Sequence, residues 1–185
     1  LLEEKDIIDE LYYLNMSRTS SATQALSVDV LHDLAVHDIY LSRHLIGVDP
    51  IWVIAHGENY IQSSYHNVIH ILMGFPDGKI ASIFASFIHT EKTRKITLIA
   101  SKTKLVFDDT QTTDRKIQLF DTIEQSHFLE VEDSLPLTQE CLHFIECIRE
   151  NKEPLSGREN IDFVAKITDC ISDSLAKGGE KIIIR

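Results

Sequence analysis

No glycine-rich phosphate loop interrupts this chain. Neither GxGxxG nor GxxxxGK[ST] occurs in its 185 residues, and the turns Pro76-Asp77-Gly78 and Gly178-Gly179 do not lead from a strand into a helix. The chain by itself therefore has no recognisable seat for a dinucleotide or a triphosphate. Cysteine is scarce too. Cys141, Cys147 and Cys170 are an odd number without zinc-ligand spacing, and they read as reduced core thiols of a cytoplasmic protein. Only 7 glycines and 4 prolines are present, which fits an ordered chain rather than a low-complexity one. No apolar run is long enough to span a membrane, and no signal peptide is expected. Basic residues are outnumbered, 18 against 29 acidic, and the net charge of −11 argues against nucleic acid or an anionic membrane as partner.

What is present suffices for one ordinary hydrophobic core: 43% of the residues are hydrophobic and 25% charged. Residues 1–10, LLEEKDIIDE, read as the end of a helix, so the chain is expected to be a domain cut from a longer polypeptide. LYYLNMSR predicts a strand over Leu11–Arg18 that enters the loop SRTSSATQ. Asp29 through Ile46 predicts a helix with an apolar arc of Leu31, Leu34, Leu41 and Leu45 and a polar stripe of Asp33, His37, Tyr40 and His44. Gly47 and Pro50 end it. The segments IWVIAHGENY, HNVIHILMGF, KIASIFASFI and RKITLIAS then predict strands, with a hairpin turn at Pro76-Asp77-Gly78 and another reversal at Ser101-Lys102. KLVFDD, KIQLF and a weaker HFLEV follow.

Connections this short demand antiparallel pairing. Pro136 opens a helix with Leu137, Cys141, Phe144, Ile145 and Ile148 at helical spacing. Gly157 precedes a last helix, Arg158–Ala176, and KIIIR is a final strand. The expected fold is α+β: an open, mostly antiparallel sheet with helices packed on one face, forming a single domain over residues 1–185.

Chemistry concentrates in DLAVHD. Asp33 and His37, four apart on a helix, share a face, and a histidine there can exchange a proton near neutral pH. On pattern alone a solvated helix face with an Asp–His contact is the favoured explanation of the pair. Asp38 falls on the apolar arc, where a bare carboxylate is costly, so it requires a partner. Arg18, placed in the loop before the helix, is positioned to reach a substrate carboxylate or phosphate. Lys92 and Arg94 read as charges at a strand-to-strand bend. His66 and His70 share a strand face in HNVIH but lack a third ligand at known spacing, so metal binding is disfavoured. Neither Ser17 nor Ser86 sits in a strand–turn–helix elbow, which disfavours acyl transfer.

Over nearly its full length the chain resembles the C-terminal domain of the glucose–fructose oxidoreductase / inositol dehydrogenase (Gfo/Idh/MocA) family of NAD(P)-dependent oxidoreductases. The resemblance is carried by YYLNMSRT, DLAVHDIYLSRHLIG, GFPDGKIASIFASFIHTEKTRKITLIASKTKLVFDD and ECLHFIECIRENKEPLSGRENIDFVAKITDCISDSL. The closest flavour is that of nucleotide-sugar dehydrogenases. The resemblance implies a dihydrodipicolinate reductase-like C-terminal fold that serves substrate binding and oligomerisation. It implies His37 and Asp33 as the catalytic pair, with His37 exchanging the proton of a sugar hydroxyl. Arg18 and Asn15 would bind substrate, NAD or NADP would lie mainly on a Rossmann domain absent from this chain, and residues 1–10 would be the tail of a helix from it. A sugar or nucleotide-sugar substrate and a homo-oligomer built through the sheet face follow from the same resemblance. Without the family's Gly-rich loop and catalytic lysine, the chain alone would not move hydride. A freestanding, non-catalytic dimerisation or binding module of the same fold is the alternative.

Overall fold

The computed structural model describes residues 11–21, 27–61, 64–101, 103–121, 125–131 and 135–185. The helix tail expected at residues 1–10, most of the loop after the first strand and Lys102 of the expected reversal lie outside the described residues. Alternating apolar and polar residues produce strands β1 (Leu11–Thr19), β2 (Trp52–Glu58), β3 (Val68–Gly74), β4 (Ile80–Ser86), β5 (Thr93–Ala100), β6 (Lys104–Asp108), β7 (Ile117–Phe120), β8 (Ser126–Leu129) and β9 (Ile182–Ile183). They join in one sheet with the order β8-β7-β6-β5-β1-β4-β3-β2-β9.

Two antiparallel meanders, β2-β3-β4 and β5-β6-β7-β8, account for most of the sheet, as the short connections require. The β3–β4 turn uses Asp77 and Gly78 with φ of 59° and 75°, the left-handed pair that matches the twist of the strands it joins. β1 departs from this pattern. It lies between the meanders, antiparallel to β5 but parallel to β4, with Leu14 opposite Ala81 and Arg18 opposite Ala85. A parallel pair needs a long crossover, and the helix, β2 and β3 between Thr19 and Ile80 provide it.

One face of the sheet is the core face. Leu14 and Met16 of β1, Ala81 and Ile83 of β4, Ile69 and Ile71 of β3, and Ile96 and Leu98 of β5 are all buried there. Helix α1 (Val36–Ile46) and helix α3 (Arg158–Ala176) contribute to the same core cluster. The opposite face carries Trp52, Ile54, His70, Leu72, Phe84 and Thr97, half-buried or exposed.

The helix expected from Asp29 forms, but not as a uniform α-helix. The Asp29 carboxylate caps it, accepting the Leu31 N–H at 2.8 Å, and its first turn, Leu31–Ala35, is a π-turn that passes into α1. Gly47, with φ of 82°, closes the helix as expected. The core-facing stripe differs from the expected leucine arc: Leu31, Ala35, Ile39, Ser42 and Ile46 are buried, while Leu34, Leu41 and Leu45 are half-buried flanks. Small residues at 35 and 42 allow close approach to the sheet; the Ser42 hydroxyl bonds back to the Ile39 carbonyl at 2.7 Å and lies 4.0 Å from Met73 Sδ.

Arg43 ties α1 to α3. Its guanidinium bonds Asp49 and Glu159 at 2.6 Å each and the Asn160 side chain at 2.9 Å, and it lies 4.7 Å from the centroid of the Phe163 ring. The Glu159 hydrogen bond holds its proton more firmly than usual, against the opposing effect of burial and with further help from Asp49.

Helix α2 (Pro136–Glu150) behaves differently. The apolar residues read at helical spacing do not enter the core: Leu137, Phe144 and Ile148 are 71%, 60% and 65% exposed, and Cys147 is the helix's buried residue. The helix has an apolar face that stays largely exposed.

Gly74 supplies a direct test of the packing. It stands opposite Trp52 in the β2–β3 register, and a Cβ built there would meet the indole at 1.9–2.2 Å. Gly74→Ala must displace the Trp52 ring, which also receives Lys181 Nζ 4.2 Å from its centroid. We expect a loss of about 1–3 kcal/mol in urea unfolding. An unchanged midpoint would show that the ring moves aside at no cost.

Candidate active site

The site grows from the junction of β1 and α1. Arg18 is the penultimate residue of β1, not a loop residue, and strand alternation puts it on the core face with Leu14 and Met16. There it meets Asp38, which is 1% exposed. Arg18 Nη2 donates to Asp38 Oδ1 at 2.8 Å and Nε to Oδ2 at 3.2 Å, a two-pronged ion pair. The partner that Asp38 requires is therefore Arg18. The reach toward substrate expected of Arg18 is taken up, in this structure, by a carboxylate of the same chain.

His37, next to Asp38, lies in the first turn of α1 and is exposed; Asp33, within the π-turn, is half-buried. Neither side chain makes a hydrogen bond or an ion pair with a described residue. The imidazole is thus presented outward from a helix whose adjacent residue is locked to the sheet. Neither His37 nor Asp33 lines the apolar cleft of about 580 Å³ on the same helix: His32, Val36 and Tyr40 form one of its walls, and Asn160, Ile161 and Val164 of α3 form the other. Tyr40 stacks on His44 with ring centroids 5.9 Å apart, and its hydroxyl reaches the Leu155 carbonyl at 3.4 Å.

Asn15 is not brought to this place. It is exposed between buried Leu14 and Met16, so its side chain lies on the opposite face of the sheet from Arg18. A spacing of three in a strand already carries that separation. His66 and His70 also part company. His66 precedes β3 and its Nδ1 lies 3.0 Å from the Asp29 carboxylate, whereas His70 packs on Phe84 from within β3, 4.5 Å between centroids. No group of three or more His, Cys, Asp or Glu able to hold a metal occurs among the described residues.

Ser86 is fully buried and its hydroxyl lies 3.0 Å from His89 Nδ1. Arg94 belongs to β5 and pairs with Asp109 at 3.6 Å. All three cysteines are free, and burial pushes the Cys170 thiol up, with Asp173 adding to the effect, so that it is a poor nucleophile. Sequence reasoning missed the Asp29 cap and the cleft wall of His32 and Val36. The cap was legible as an Asp before an apolar run; the wall depends on how α3 packs.

The family model described as GFO/IDH/MocA C-terminal domain matches residues 12–106, just over half of the chain. No curated protein matches. Among solved structures, UDP-N-acetylglucosamine 3-dehydrogenase GnnA from Acidithiobacillus ferrooxidans is similar with a TM-score of 0.85 at 17% identity, over 96% of this chain and 57% of that one. The aldose-aldose oxidoreductase from Caulobacter crescentus, complexed with glycerol, gives a TM-score of 0.83 at 14% identity, over 98% of this chain and 58% of that one. Levoglucosan dehydrogenase in complex with NADH gives 0.82 at 15% identity, over 99% and 61%. The chain thus spans about three-fifths of the length of these structures. Among the described residues no helix is long and apolar enough to cross a membrane.

Proposed function

Since this chain belongs to the GFO/IDH/MocA C-terminal domain family, we propose that it is the substrate-binding and oligomerisation domain of an NAD(P)-dependent oxidoreductase acting on a sugar or nucleotide-sugar hydroxyl. The observation that carries the reading is His37: an exposed imidazole, unengaged by any described residue, on a helix fixed to the sheet and next in sequence to Val36, which lines an apolar cleft. The imidazole takes the proton of the substrate hydroxyl as the C–H bond beside it is broken. Asp33, one turn earlier, orients the substrate or the imidazole. Arg18 is committed to Asp38 and is assigned no substrate contact, and Asn15 serves substrate only if the open face of the sheet is part of the pocket.

A nicotinamide dinucleotide would supply the hydride acceptor. The residues here do not fit it: there is no glycine-rich helix N-terminus for its pyrophosphate, and none is assigned to it. A Rossmann domain on the same polypeptide is proposed to hold it. The exposed apolar face of α2 supports this reading, because a 15-residue helix with no buried stripe gains little stability alone in water. Homo-oligomerisation is proposed through the open face of the sheet, where Trp52, Ile54, Leu72 and Phe84 are incompletely covered.

The intact gene product, given NAD⁺ or NADP⁺ with UDP-N-acetylglucosamine, glucose or levoglucosan, is expected to form reduced nicotinamide with at least one pair. A native product that starts near Leu1 and reduces neither nucleotide would overturn the reading in favour of a non-catalytic module.

A further inference from the structure

We propose that the Arg18–Asp38 ion pair is the positioning device of the site: it sets the rotation of α1 about its own axis and thereby the direction in which His37 presents its imidazole. The inference rests on the reading of His37 as the group that takes the substrate proton.

Stability alone does not call for a charge at this point. Asp38 lies in the core-facing stripe of α1, and a buried ion pair generally stabilises no better than apolar residues of the same volume. What the pair adds is direction. Its two bonds, 2.8 and 3.2 Å, join a planar guanidinium to a planar carboxylate and resist rotation in a way that dispersion contacts do not. Within the stripe Leu31, Ile39 and Ile46 supply the large buried contacts, but Ala35 and Ser42, which flank Asp38, offer little side chain to interlock with the sheet, and the π-turn Leu31–Ala35 breaks the regular ladder at the end of the helix nearest His37.

The anchor is also well founded. Arg18 sits on the strand between β4 and β5, its backbone in register with Ala85 on one side and Arg94 on the other. Arg94 is drawn off to Asp109, which leaves Asp38 to Arg18. An imidazole attached one residue before such an anchor is held to the sheet by a single peptide unit.

The test is made on the intact enzyme, with the sugar substrate and nucleotide found by the assay above. Arg18→Met/Asp38→Leu removes both charges and leaves neither unpaired. It is expected to keep its melting temperature and the KM values for both substrates, and to lose ~10- to 100-fold in kcat from misplacement of the imidazole. Arg18→Lys keeps the charge balance but not the fork, and is expected to lower kcat with KM unchanged; this decides the matter if the double variant fails to fold. Unchanged kcat in a folded double variant, or in Arg18→Lys where that variant does not fold, overturns the inference while leaving the role of His37 intact. Unchanged kcat in His37→Asn overturns the role of His37 and the inference with it.

Discussion

Replacing His37 by Asn in the intact enzyme is expected to lower kcat by about 10²- to 10⁴-fold, the usual worth of a positioned acid or base. The side chain is exposed and makes no hydrogen bond or ion pair with a described residue, so its replacement should leave the melting temperature nearly unchanged. Nucleotide affinity should be unchanged as well, because no residue of this chain is assigned to it. The loss then falls on kcat and kcat/KM together, the pattern of an interaction made only in the transition state. Equal losses of turnover and of nucleotide binding, with a lowered melting temperature, would mark a folding defect instead.

The second large effect is on stability. Asp38→Leu alone leaves the Arg18 guanidinium, 15% exposed, without its carboxylate. Removing one member of a buried pair costs about 3–5 kcal/mol, which for a chain of this size corresponds to a fall of roughly 6–20 °C in melting temperature. Arg18→Met should be milder. An unpaired carboxylate can escape by taking up a proton, whereas a guanidinium cannot shed one. Calorimetry of the two single variants and the double variant completes the cycle: the double variant should be more stable than Asp38→Leu. Additive losses would mean that the two side chains do not depend on each other.

Much of the fold was legible from alternation and turn chemistry. Strands β2 to β7 fall where the apolar segments stand, Asp77-Gly78 makes the expected turn, and Gly47 ends α1. Two features escaped because their causes are not local. The leucine arc of α1 outranks Ala35 and Ser42 in hydrophobicity, yet the smaller residues face the sheet because close approach, not apolar area, decides that stripe. The insertion of β1 beside β4 leaves no trace in connection lengths, which report only on neighbours in sequence.

At the site, the need of Asp38 for a partner was readable from its place among apolar residues, and the identity of that partner was not. The opposite orientations of Asn15 and Arg18 were readable from strand parity. For α2, the apolar positions are plain in the sequence, but a pattern of that kind says that a surface will be covered and not what covers it.

The place of β1 also bears on how the chain acquires its structure. Both neighbours of this early strand lie far downstream, across the stretch from Thr19 to Ile80 on one side and beyond Thr93 on the other. The hairpins of the two meanders close small loops and are expected to form quickly, whereas seating β1 must bear the entropy of a long one. During synthesis the segment therefore has no strand partner until the chain through Ser86 has been made, and its second partner is complete only at Ala100. Since Arg18 reaches Asp38 from β1, the orientation of the helix is expected to be fixed only once that strand is seated.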